Sequence, residues 1–189
     1  MADHGATGPA AADPRQFHAR AARELEQIRA LIDGFPLYGL ANWTGLRTVS
    51  RWQTRDGGLE IVGLGHGTSP GPGPYAEVLV NAASGADLAL HRRREVRYET
   101  EPPRDEETFR RIDRELLADD PDEVVIPVEG APTRFQVWQL PQGWVATTAH
   151  GDHRCTVSAS RIEPGDVELC RVHDIKPYWD GRRVFPPGS

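Results

Sequence analysis

Lysine is nearly absent from this 189-residue sequence, in which Lys176 stands alone among 22 basic residues. Arginine in its place, together with 19 glycines and 16 prolines, indicates the codon bias of a GC-rich genome rather than selection for guanidinium chemistry. The glycine and proline content also predicts many turns and few long helices.

Cysteines and long apolar runs are scarce as well. Cys155 and Cys170 are too few for the disulfide framework of a small extracellular domain, and their pairing stays open. The polar first residues contain no signal-peptide pattern, and no apolar run approaches the roughly 18 residues that cross a bilayer. We therefore expect a soluble, cytoplasmic protein with no membrane partner.

Motifs that would carry catalysis or hold a cofactor are missing. The sequence contains no His-Glu-x-x-His pair and no Walker pattern, and its Gly-x-Ser-x-Gly match at residues 67–71 lies among prolines, where the helix of a nucleophile elbow cannot begin. The glycines from Gly63 to Gly67 are followed by three prolines between residues 70 and 74, so no helix can begin there to face a phosphate group. We therefore expect a non-catalytic protein and no cofactor.

Periodicity along the chain predicts an α+β fold built of two consecutive units. Residues 1–12 should form a disordered tail and residues 181–189 a flexible one. Residues 13–101 and 102–180 each begin with an amphipathic helix and continue with about four mainly antiparallel strands. The helices should span 13–33 and 105–118, the second burying Phe109, Ile112 and Leu116, and the strands 46–54, 59–65, 75–82, 123–128, 133–140, 143–150, 153–160 and 167–173.

Two points of this organisation stay open. Residues 88–98 fit a charged edge strand or a short helix, and we predict the strand. The segments after Trp52-Gln53 and after Trp138-Gln139 both continue through a glycine turn and an apolar strand to a His-Gly pair. This echo suggests an internal duplication, although glycine-rich hairpins also resemble one another by chance.

Negative charge is concentrated around the second helix. Twelve acids and four arginines lie between residues 98 and 130, whereas the whole chain has a formal net charge of -6. Because complementary charge steers association, we expect an interaction module of the immunity, antitoxin or chaperone-like kind that binds a basic protein through this acidic face. The contact residues would be Glu106, Glu107, Asp119 and Asp120 with the loop aromatics Trp43 and Trp179, which could instead plug the ends of the sheet core.

A basic cluster precedes the acidic segment. Its arginines are a candidate anion site, and they are Arg92, Arg93, Arg94 and Arg97. They could equally blunt an edge strand, or be neutralised within the molecule by the acidic helix at 105–120. Nucleic acid is not an expected partner, because apart from Tyr98 no aromatic side chain is interleaved to stack on bases.

Histidines supply an alternative function. His150, Asp152 and His153 lie at a predicted turn and offer imidazole and carboxylate ligands to a metal, although polar residues are also ordinary on a solvated turn. If the two units face each other, His66 would join them in one cleft. The alternative is therefore an enzyme or a small-ligand or metal binder that uses this cleft.

Overall fold

The computed structural model describes residues 14–68 and 72–179, so the predicted tails and Asp13 lie outside the described residues. In chain order the elements are α1 (Pro14–Ile32), β1 (Tyr38–Leu40), β2 (Arg47–Arg55), β3 (Gly58–His66), β4 (Tyr75–Ala82), α2 (Leu88–Thr100), α3 (Glu106–Ala118), β5 (Asp122–Val128), β6 (Ala131–Leu140), β7 (Gly143–His150), β8 (His153–Ser160) and β9 (Leu169–Arg171). Two short 3-10 turns, Pro164–Asp166 and Lys176–Tyr178, flank β9.

The nine described strands form one sheet in the order β1-β9-β5-β6-β7-β8-β4-β3-β2. Neighbouring strands are antiparallel except β5 and β9, which run parallel, so the predicted α+β fold with a mainly antiparallel sheet is confirmed. Strand β4 of the first predicted unit pairs with β8 of the second along its whole length, from Tyr75 to Ala82. The strands of both units thus share one sheet, and the internal duplication is not confirmed.

Tight turns join the strands of two hairpins. Asp56 and Gly57 have φ angles of 52° and 81°, and Glu129 and Gly130 have φ angles of 53° and 77°. Two consecutive residues with positive φ are typical of the type I′ turn, whose twist matches that of a two-residue hairpin. The turn predicted between β2 and β3 is confirmed.

The sheet curls on itself, and its inner face is the main core. Strand β1 lies at one edge yet contacts β3 and β4 near the other edge. Side chains alternate between the faces, so Val78 and Val80 point inward while Leu79 meets Leu88 on the outer face. Helix α1 covers the inner face over β2 and β3, where Ile28 packs in the same cluster as Leu64.

The segment at 88–98 is a helix and not the predicted edge strand. Asp87 caps α2, because its carboxylate accepts a hydrogen bond of 3.0 Å from the backbone N–H of Leu90. An ion pair of 2.9 Å between Arg97 and Glu101 spans one helical turn and supports the helix. Within α2 the buried residues are Leu88, Ala89 and Arg93. The apolar stripe of this helix is therefore too short to indicate a helical period in the sequence.

Strand β1 was not predicted either, since three residues are too few to display alternation. It pairs with β9 from Tyr38–Arg171 to Leu40–Leu169. Gly39 permits a close approach here, because a Cβ at this position would collide with the Tyr178 hydroxyl and lie 3.1 Å from His66 Nε2. Cys155 is buried and Cys170 half-buried, and both thiols are free.

The other two helices lie outside the curl. Helix α2 packs over β7 and β8, and α3 packs on α2. Within the two described ranges, no helix has both the length and the apolar character needed to span a membrane.

Candidate functional site

Helix α3 presents a buried side and an exposed side. The Asp105 carboxylate caps the helix by accepting a 2.7 Å hydrogen bond from the Thr108 backbone N–H, which lowers the pKa of Asp105. Ile112 is fully buried, as predicted. Phe109, predicted for the buried side, is 40% exposed, and Leu117 is 68% exposed. The ring of Phe109 lies 5.6 Å from that of Tyr98 on α2 and is covered on that side only, whereas Leu117 is mostly in solvent.

The interface between α2 and α3 pairs opposite charges. Arg94 donates from Nε and NH2 to the two carboxylate oxygens of Asp113, at 2.7 and 2.8 Å, and this hydrogen bonding raises the pKa of Arg94. Arg97 binds Glu115 at 3.1 Å. The predicted anion cluster is thus largely engaged within the molecule, which is the internal neutralisation that the sequence left open.

Arg93 is the most buried member of the cluster, with a side chain that is 6% exposed. Its NH2 group donates to the Leu116 carbonyl and to the Asp119 carboxylate, both at 2.7 Å. The guanidinium also lies 4.6 Å from the ring centroid of Trp138, a cation–π arrangement. Burial lowers the pKa of Arg93, whereas Asp119 acts in the opposite direction. Asp119 therefore anchors α2 to the end of α3.

The other predicted contact acids are less engaged. Glu106 pairs with Arg110 at 3.1 Å, and both side chains are 72% exposed. The side chains of Glu107 and Asp120 are exposed and make no hydrogen bond or ion pair with the described residues. A free carboxylate thus stands near each end of α3, with the exposed apolar side chains between them. We call Glu107, Phe109, Leu117 and Asp120 the α3 surface.

A shallow depression runs along this side of the helix. Its walls are formed by Glu106, Glu107, Phe109, Arg110, Asp113, Arg114 and Leu117. The spacing of Phe109, Asp113 and Leu117 is four residues each, which places them in one row along the helix. An apolar centre with a polar rim is the usual anatomy of a protein–protein contact.

The loop aromatics Trp43 and Trp179 lie against the two core clusters. Trp43 is half-buried against the inner face of the sheet, and its Nε1 donates to the Leu46 carbonyl at 3.0 Å. Trp179 packs in the cluster beneath α1. Both occupy core-plugging positions, the role that the sequence left open beside partner binding.

The structure does not bring His66 together with the other predicted cleft residues. His66 pairs with Ala76 at one end of β4, whereas His153 pairs with Ala82 at the other end. Six residues of strand separate these positions by roughly 20 Å. His150 and His153 do face each other across their hairpin. Among the residues that the structure describes, no group of three or more side chains could hold a metal ion.

His66 has a structural environment of its own. The side chain is fully buried, and Nε2 accepts a hydrogen bond of 3.1 Å from the Leu40 backbone N–H. The Tyr178 hydroxyl lies 3.2 Å from the same nitrogen. Burial, helped by the nearby Arg47 guanidinium, lowers the pKa of His66 to about 4. A neutral His66 thus ties β3 to β1 and to the last turn of the described chain.

Known proteins give no further guidance on the α3 surface. The chain matches no protein-family model, no curated protein and no solved structure. The physical chemistry of the surface is therefore what bears on function.

The apolar part of the α3 surface was not predicted from the sequence. The four-residue spacing of Phe109 and Leu117 around Asp113 was visible, but so was the spacing of Ile112 and Leu116. Two apolar rows on one helix look alike in sequence. Asp113 pairs with Arg94 and Phe109 lies against Tyr98, so only the contacts with α2 decide how much of each side chain stays exposed.

Proposed function

We propose that this protein is a non-catalytic interaction module that binds a basic protein segment through the α3 surface. The carrying observation is the exposure of Phe109 and Leu117, at 40% and 68%, in one row of a helix with free carboxylates near its ends. Two of the four large hydrophobic residues that are exposed in the described chain lie on this helix. A partner that covers these two side chains would remove apolar surface from water.

Charge favours a basic partner over an acidic one. Twelve acids stand against four arginines between residues 98 and 130. The neighbouring arginines of α2 offset part of this charge, but Glu107 and Asp120 have no partner among the described residues. A partner segment with an apolar stripe flanked by Lys or Arg would cover the hydrophobic row and meet these acids. The proposed compartment is the cytoplasm.

The direct test uses synthetic probes. A 20-residue amphipathic helical peptide with a leucine row flanked by lysines would be titrated into the 15N-labelled protein, and its glutamate-flanked counterpart would serve as the charge control. The lysine peptide should shift the backbone amide signals of α3 saturably, and its affinity should fall with added salt. The glutamate peptide should bind at least tenfold more weakly.

Variants separate the apolar and the charged contributions. Phe109→Ser and Leu117→Ser should each weaken peptide binding by about tenfold, the loss expected for a central apolar contact. Leu46→Ser is the control. Leu46 is 52% exposed and lies in the loop before β2, so its loss should leave binding unchanged. Glu107→Gln with Asp120→Asn should reduce the salt dependence. Asp119 is left intact, because its loss would free Arg93.

The proposal is overturned if the two peptides bind equally, or if the shifted amides lie outside α3. A pull-down from the native host gives an independent check. A protein that is captured by the wild type and by Leu46→Ser, but by neither α3 variant, should be basic. Capture that survives Phe109→Ser and Leu117→Ser together would contradict the proposed surface.

A further inference from the structure

A small cleft on the outer face of the sheet is distinct from the α3 surface. It lies between α2 and the ends of β7 and β8 and encloses about 190 Å³. Its lining includes Arg92, Val96 and Glu99 from the helix and Trp144, Ser158 and Ser160 from the sheet. The helical residues are four and three positions apart, which places them on one side of α2.

Opposite charges stand at the two ends of the helical wall. Arg92 uses NH1 to bind Glu95 at 3.1 Å, and its side chain is 41% exposed, so other guanidinium N–H groups remain available. The Glu99 carboxylate makes no hydrogen bond or ion pair with any residue in 14–68 or 72–179. Seven residues of helix separate the two positions by about 10 Å. The wall therefore offers a cationic group and an anionic group to one small molecule.

The opposite wall, on the sheet, supplies hydroxyl groups. Ser158 is only 8% exposed, yet neither its hydroxyl nor that of Ser160 has a hydrogen-bond partner among the described residues. Both hydroxyls are therefore free to bond to a ligand that enters the cleft. The ring of Trp144 packs in the core cluster on the inner face of the sheet, and its Nε1 donates to the Ile162 carbonyl at 2.7 Å, which fixes the end of β7 beside the cleft.

Size restricts the ligand. The cleft is smaller than the roughly 300–1,000 Å³ of ordinary ligand pockets. A nucleotide or a peptide would not enter it. A compact molecule with an acidic group and a basic group would fill it and meet both charges.

We propose that this cleft binds a compact zwitterion of amino-acid size. The carboxylate of the ligand would bind Arg92, its ammonium group would bind Glu99, and the serine hydroxyls would complete its hydrogen bonds. This site involves none of the residues of the α3 surface, so it is a second binding function rather than a detail of the first.

The test measures binding of named zwitterions by NMR. Glycine, L-serine, β-alanine and γ-aminobutyrate would be titrated into the 15N-labelled protein, with acetate and ethylammonium as probes that carry one charge each. At least one zwitterion should shift the amide signals of Gly143, Ser158 and Ser160 saturably at millimolar concentration. Each single-charge probe should bind at least tenfold more weakly, because it meets only one end of the cleft.

Variants assign the two ends. Arg92→Gln and Glu99→Gln should each weaken zwitterion binding by at least tenfold, and Arg92→Lys should restore part of it. Arg104→Gln and Glu123→Gln change exposed charges outside the cleft and outside the α3 surface and should have no effect. Thermal unfolding of every variant checks that the fold persists.

Three outcomes would overturn the proposal. The first is that no zwitterion in the panel shifts the three amides. The second is that acetate binds as well as the zwitterions and is insensitive to Glu99→Gln, which would leave a simple anion site. The third is that zwitterion binding survives both Arg92→Gln and Glu99→Gln.

Discussion

Arg94 binds Asp113 across the interface of α2 and α3 through two parallel hydrogen bonds. Nε donates to Oδ1 at 2.7 Å, and NH2 donates to Oδ2 at 2.8 Å. Their side chains are 31% and 23% exposed, so water screens this pair less than an ion pair on the open surface. Bidentate pairs of this kind are the stronger ion pairs of proteins. The basic stretch of the chain is thus held against the acidic stretch that follows it.

Loss of this pair should destabilise the protein measurably. Asp113→Asn removes the charge while keeping the size of the side chain, and we expect the free energy of unfolding to fall by about 1–2 kcal/mol. Urea denaturation followed by circular dichroism measures the change. Glu106→Gln is the matched control, because its pair with Arg110 is 72% exposed on both sides and should contribute nothing measurable. Equal effects of the two variants would contradict the ranking.

Substitutions on the buried and on the exposed side of α3 should differ in their effect on stability. Ile112→Ala empties a fully buried position and should lower the free energy of unfolding by about 2–5 kcal/mol. Leu117→Ala removes a side chain that is 68% exposed, and the stability should change by less than about 0.5 kcal/mol. Chemical denaturation of both variants tests the assignment. A large loss of stability in Leu117→Ala would mean that this row packs inside the protein.

His66 should make the protein less stable in mild acid. Its pKa is lowered from the ordinary 6.5 to about 4 in the folded state. Between these two values the unfolded chain binds a proton at this histidine and the folded chain does not. The free energy of unfolding should therefore fall as the pH is lowered from 6.5 to 4, by up to about 3 kcal/mol. Urea denaturation at half-unit steps of pH follows the change.

A histidine variant isolates this contribution from the carboxylates that also titrate in acid. His66→Gln cannot take up the proton but can still present an acceptor to the Leu40 N–H, so its stability should vary less across the same pH interval. The variant should be less stable than the wild type at pH 7 because its shape differs from that of imidazole. If the two proteins lost stability in parallel from pH 6.5 to 4, His66 would not be the group responsible.

Local signals in the sequence predicted much of the sheet. The turn at Asp56 and Gly57 requires positive φ, which glycine adopts at no cost, and it appears where it was expected. Strands β4 and β7 alternate or run apolar over eight residues each, enough to display their character. Helix α2 and strand β1 were not predicted. The buried stripe of α2 is too short to show a helical period, and β1 has only three residues.

The candidate site residues could be predicted less well from the sequence than the sheet, because their roles depend on tertiary contacts. The acidic character of the segment at 98–130 is a property of composition and could be counted directly. The sequence could not show that Asp119 binds Arg93 whereas Asp120 has no partner among the described residues. Asp119 and Arg93 are 26 residues apart along the chain, so no local pattern links them. Likewise, the sequence could not show that His66 on β3 and His153 on β8 pair with opposite ends of β4.

By itself, the sequence determined an α+β chain with a mainly antiparallel sheet and negative charge gathered around α3, because periodicity, turn residues and charge are local properties. Only the tertiary structure decided that one curled sheet joins both halves, that α2 faces α3, and that Leu117 and part of Phe109 remain exposed. The reason is physical, because the burial of a residue depends on what packs against it. Helix α3 packs on α2, and the sequence pattern of α2 did not predict a helix.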